Sequence, residues 1–167
     1  MTQDFSAFRP SKIWKRLSPE HRTAAAELFW GDEQSPEQQV EACATIATQM
    51  KFRAKSVLSL PVEKKTRYLV TLPSVSDAVA ARALVNYHLG RQRPMMAEFL
   101  DALGVAHEEG LIKDETVVKP ESEKLRQAAE QLVAKYPEGD VGLYFSTLVS
   151  QDPEIWGELA ELPQTSR

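Results

Sequence analysis

Apolar side chains return at three- and four-residue steps along most of this chain, the spacing that aligns one face of an α-helix. After Pro36 the series Val40, Cys43, Ala44, Ala47, Met50, Ala54, Val57 and Leu58 keeps that period, and it predicts one long helix ending before Pro61. The same spacing appears in Met95, Met96, Phe99, Leu100 and Leu103 between Pro94 and Gly104, and in Leu125, Ala128, Ala129, Leu132 and Tyr136 before Pro137 and Gly139. Further helices are expected over 62–71, from Asp77 to His88 with Gly90 as the stop, over 141–149 and over 154–162.

Start signals support these assignments. Ser18-Pro19-Glu20, Ser35-Pro36-Glu37 and Asp152-Pro153-Glu154 each put a side-chain acceptor before a proline, at the helical position where a missing N–H costs no hydrogen bond. Gln38, three residues after Ser35, completes a capping-box pattern, and Asp77 after Ser74 makes a weaker one. No segment alternates apolar and polar residues. A turn is expected near Gly110, and Thr116-Val117-Val118 is compatible with extended backbone but makes no sheet. The predicted fold is all-α: a single compact domain over residues 1–167, with about eight or nine short to medium helices in an orthogonal or irregular bundle. Residues 1–10 and 163–167 are expected as frayed tails. The connection at Pro73–Ser76 is too short to require a domain boundary near Ser74.

Composition adds bounds. A chain of 167 residues, 43% hydrophobic and 26% charged, has the make-up of an ordinary globular protein, able to bury roughly two thirds of its surface on folding. Its one cysteine, Cys43, excludes an intrachain disulfide and any two-cysteine metal or redox motif. Lying on the apolar stripe after Pro36, it reads as a small buried hydrophobe, not a nucleophile. No apolar run reaches the roughly 18 residues of a membrane helix, and Met1–Pro10 lacks the basic start and apolar core of a signal peptide. A cytoplasmic protein with no membrane contact is expected.

A formal net charge of −4 and a pI near 5.5 argue against a surface built throughout to meet phosphate. The charges are, however, segregated along the chain. Lys51, Arg53, Lys55, Lys64, Lys65 and Arg67 form a basic stretch opposed only by Glu63, and Arg91 and Arg93 form a second group. Acidic residues collect downstream in Glu98, Asp101, Glu108, Glu109, Asp114, Glu115, Glu121 and Glu123, and 138–161 contains no Lys or Arg. Such a basic stretch is either a solvated face balanced by the acidic half or a surface that neutralises phosphates while Phe52, Trp14 and Tyr68 stack on bases.

Candidate chemistry is sparse. His21, His88 and His107 are scattered, and His107-Glu108-Glu109 begins like a zinc-protease signature but lacks its second histidine. His107, Glu108 and Glu109, with His88 as a companion, are the catalytic candidates. Gly104 and Gly110 around them equally suit a tight corner at positive φ. No nucleophile elbow, phosphate loop or dinucleotide fingerprint is present, so no cofactor and no metal site is expected. Trp30, Met95, Met96 and Trp156 are candidate docking anchors, with burial in the core as the plainer role. By elimination the sequence points to a non-catalytic protein-interaction or scaffold module whose partner is another protein or a second copy. Nucleic-acid binding through Lys51–Arg67 with Arg91 and Arg93 is the alternative, and an enzyme built on His107 a further one.

Overall fold

A computed structural model describes residues 4–113 and 117–165. Asp114, Glu115 and Thr116, part of the acidic run and of the stretch compatible with extended backbone, lie outside the described residues. The fold is all-α, with ten α-helices among the described residues and a single two-stranded hairpin. The chain forms two compact units: residues 10–87, and residues 1–9 together with 88–167.

The 10–87 unit contains α1 (Pro10–Arg16), α2 (Pro19–Gly31), α3 (Pro36–Met50), α4 (Ala54–Leu58), α5 (Val62–Thr71) and α6 (Asp77–Arg91) as far as Tyr87. α2 packs on α5, and α3 on α4 and α5. Ser18 caps α2 as its sequence suggests, its Oγ accepting the His21 N–H at 3.2 Å. The Arg22 guanidinium donates to the carbonyls of Lys15, Leu17 and Val70, so one cation serves the C-terminal ends of both α1 and α5.

The single long helix expected from Pro36 is two helices. Lys51 takes the left-handed conformation (φ 58°, ψ 35°) and Phe52 N–H donates back to Ala47 O at 2.9 Å, a Schellman-type ending that stops α3 at Met50. The buried side of α3 is Ala42, Cys43, Ile46 and Ala47, while Val40 and Met50 are exposed. The apolar stripe read from sequence was therefore rotated from the true contact face. The capping box also fails: Ser35 makes no cap bond, and its Oγ donates to Asp32 Oδ2 at 2.5 Å. α6 starts at Asp77, but Ser76 Oγ, not Ser74, accepts the Val79 N–H. Asp77 instead accepts the Ser11 N–H at 3.0 Å, supplying an acceptor to the first turn of α1, a helix with no cap of its own in the sequence.

Asp32 is the busiest polar group of this unit. It accepts from Gln34 N–H, Ser35 Oγ, and Arg82 Nε and Nη2 at 3.0 and 2.8 Å. The Gln39 amide meanwhile donates to Phe29 O and Asp32 O, satisfying the end of α2. Burial, the largest single influence, pushes the Asp32 pKa up. The hydrogen bonds from Ser35, Gln34 and Arg82, with the Arg82 charge, together outweigh it and hold the carboxyl at about 2, below its ordinary 3.8.

The second unit contains the rest of α6, α7 (Arg93–Leu103), β1 (His107–Glu108), β2 (Leu111–Ile112), α8 (Ser122–Lys135), α9 (Glu138–Gln151) and α10 (Pro153–Trp156), followed by a 3-10 turn at Gly157–Glu161. α9 is buried at every residue from Val141 to Val149. Its aromatic core brings Phe99 against Tyr144, Phe145 and Trp156, with ring centroids 5.7, 5.1 and 6.1 Å apart. Asp152 caps α10 as read, accepting the Ile155 N–H. Residues expected to fray are partly ordered: Phe8, in a 3-10 turn at Ser6–Phe8, is buried in this core, and Thr165 Oγ1 donates to Leu159 O. Tyr144 is fully enclosed. Burial pushes its phenol pKa upward, and its hydroxyl has no hydrogen-bond partner among the described residues.

Two stability measurements follow from these packings. Folding lowers the Asp32 pKa, so the unfolded chain takes up that proton first. The stabilisation is complete above pH 3.8 and is lost as pH falls toward 2. Asp32→Asn removes about 2 kcal/mol at neutral pH and flattens the acid limb of a urea-melt pH series. Tyr144→Phe deletes a buried hydroxyl that has no hydrogen-bond partner among the described residues without changing shape, and raises unfolding free energy by about 1 kcal/mol in the same assay.

Candidate functional site

The His107-Glu108-Glu109 cluster belongs to the hairpin. β1 pairs antiparallel with β2, His107 opposite Ile112 and Glu108 opposite Leu111. The two intervening residues, Glu109 and Gly110, both have positive φ, 49° and 89°, the requirement of a type I′ turn. His107 Nδ1 accepts the Gly110 N–H at 3.1 Å, which places the ring proton on Nε2, and Nε2 donates to Asp101 Oδ1 at 2.6 Å. Both ring nitrogens are thus spent on holding the turn, leaving neither to act as a base. Glu108 pairs with Lys113 at 3.4 Å, and Arg93 meets Glu109 through its carboxylate at 3.7 Å and its carbonyl at 3.1 Å. His88 is buried elsewhere in the unit, its Nε2 3.0 Å from Thr147 Oγ1. The four catalytic candidates therefore have different partners and assemble no reacting centre. Among the described residues no group of three His, Cys, Asp or Glu side chains is placed to hold a metal ion. Burial pushes the Cys43 thiol up despite the opposing charge of Lys65, which keeps it protonated and unreactive.

The docking anchors read from sequence are core residues. Trp30, Met95, Met96 and Trp156 are all buried, because each lies on the inward stripe of its helix. Trp14, a candidate for stacking on bases, is buried as well. None can meet a partner without local unfolding.

The basic stretch fares differently. Lys65 is used internally: its Nζ donates to Leu58 O and lies 4.9 Å from the Trp30 ring. Lys51, Arg53, Lys55, Lys64 and Arg67 are exposed, and among the described residues none of these five is in an ion pair. Arg93 is committed to Glu109, and it and Arg91 belong to the second unit.

Sequence reading missed the apolar side chains that accompany these cations. Because α3 ends at Met50 with Lys51 left-handed, Met50 and Phe52 emerge into solvent, 41% and 44% exposed. Phe52 meets Tyr68 edge-on at 5.9 Å. Met50, Lys64, Arg67, Tyr68 and Thr71 line one hollow of about 280 Å³. The last four repeat at i, i+3, i+4 and i+7, the outward stripe of α5, whose opposite side buries Thr66 and Leu69. Leu58 and Val62, at the α4–α5 connection, are exposed too. The available signal was a lysine after a methionine at the end of the periodic run, a weak cue for a helix stop.

No protein-family model, curated protein or solved structure matches this chain. No helix among the described residues is long and apolar enough to cross a membrane.

The structural role of the hairpin is testable. A Cβ on Gly110 would lie 2.8 Å from Met96 Cβ and 3.2 Å from Arg93 O, at a backbone angle that L-residues rarely adopt. Gly110→Ala is expected to cost about 2 kcal/mol or more in chemical denaturation.

Proposed function

We propose that this chain is a non-catalytic protein-interaction module, and that it engages its partner through the face formed by the end of α3, the Lys51–Arg53 turn and the outer side of α5. The observation that carries this reading is the clustering of exposed Met50, Phe52 and half-buried Tyr68 around Lys64 and Arg67, two cations in no ion pair among the described residues. Single exposed apolar residues need no explanation, but a group of them rimmed by charge is the usual composition of a docking surface. Covering the exposed part of Phe52 or Met50, each already more than half buried, recovers about 1 kcal/mol, which a partner can supply. The engagement of both His107 nitrogens within the hairpin weighs against the enzymatic alternative.

The test compares wild type with Phe52→Ala and Arg67→Glu as baits in nuclease-treated lysate of the native cells. Both positions are exposed, so melting temperatures should stay within a few degrees of wild type. The expected result is a protein retained by wild type through moderate salt and lost by both variants. Identical recoveries from all three baits, or material that disappears with nuclease, would overturn the reading.

A further inference from the structure

The two hollows beside α5 differ in sign. The one between the end of α3 and α5 is lined by Met50, Lys64, Arg67, Tyr68 and Thr71, with two cations and no carboxylate. The other, about 460 Å³, brings Glu27 and Glu63 alongside Arg67 and Val62. Phe52 contacts Tyr68, which lines the first hollow, and its sequence neighbours Lys51 and Arg53 are both exposed cations, so the turn beside the hollow adds two positive charges to those of Lys64 and Arg67. The bias extends to the unit: residues 10–87 carry 11 Lys and Arg against 8 Asp and Glu.

Size and chemistry together select the occupant. At about 280 Å³ the hollow falls just short of the roughly 300–1,000 Å³ of small-molecule sites, but it suits one or two large side chains of a partner. A nucleic-acid backbone would use the cations and gain little from Met50 in the hollow's lining, whereas a neutral apolar segment would leave the cations idle. Resting on the reading of this chain as a protein-interaction module, we propose that the α3–α5 face takes an acidic polypeptide segment. Its large apolar side chains enter the hollow over Met50, Phe52 and Tyr68, while its Asp and Glu side chains meet Lys64, Arg67, Lys51 and Arg53. The cations steer the encounter and set register, and the apolar anchors hold the complex.

The probe is a random peptide display library selected on the full chain and counter-selected on the Phe52→Ala/Arg67→Glu double variant. Lys64→Ala serves as an independent third variant, and the helical signal of each is checked first. The expected outcome is enrichment of sequences with Asp or Glu flanking large apolar residues. A synthetic peptide from that set should bind about tenfold more weakly to Phe52→Ala and to Arg67→Glu, and more weakly as salt rises. Enrichment of neutral or basic sequences, or no sequence preferring wild type, overturns the acidic-segment proposal. So does displacement of the peptide by a single-stranded oligonucleotide at lower concentration than by unlabelled peptide, which would assign the face to nucleic acid. If lysate capture depends on Phe52 and Arg67 but the selected peptides are not acidic, only the partner's chemistry is wrong. If neither experiment distinguishes wild type from the variants, the interaction reading itself fails.

Discussion

The Asp32 carboxylate accepts hydrogen bonds from Gln34, Ser35 and Arg82, and the arrangement of the 10–87 unit follows from satisfying it. Three donors converge on one anion only if α2 has ended, α3 has not yet begun and α6 lies close by. Removing a carboxylate from water is costly unless its lone pairs are occupied, so the corner has few alternative geometries. The Gln39 amide closes the same corner from the other side by donating to Phe29 O and Asp32 O. With α2 and α3 fixed at their junction, α5 packs on α2, and Arg22 ties the carbonyl of Val70 at its end to those of α1.

That frame gives α5 two different sides. Thr66 and Leu69 face inward, Lys65 folds over Trp30, and Lys64, Arg67, Tyr68 and Thr71 face out. The Schellman ending of α3 completes the outer surface, because a left-handed Lys51 reverses the chain and turns Phe52 toward Tyr68. The apolar face is thus a consequence of how one helix stops. A helix continuing through residue 51 would have carried Phe52 elsewhere.

The second unit puts its most chemical-looking residues to structural use. An imidazole that accepts from Gly110 and donates to Asp101 holds a turn of two positive-φ residues in register over α7. The price is reactivity, since no nitrogen is left for a substrate. Its core is built around α9, buried along nine successive residues, and it tolerates even a buried phenol whose hydroxyl has no partner among the described residues.

Helix positions were legible in the sequence wherever the signal was local. Pro19, Pro36 and Pro153 stand at the first turns of α2, α3 and α10, α5 spans Val62–Thr71 as read, and Gly104 and Gly110 take the positive φ that the corner demanded. These follow from backbone sterics and side chains within a few residues of one another. Caps were less legible, because hydroxyls have competing acceptors: Ser35 bonds to Asp32 instead of capping α3. α1 was missed because its N–H acceptor, Asp77, lies 66 residues away. The candidate face was half visible. Its cations could be counted along the chain, but whether each is exposed with no ion pair among the described residues, as Lys64 is, or folded onto an aromatic ring, as Lys65 is, depends on which side of α5 meets α2. Sequence by itself determined most of the helix starts and the charge segregation, both set by near neighbours. Which apolar side chains are buried and which are left in water was decided only by tertiary packing, since one helix's exposed stripe is defined by what the other helices cover.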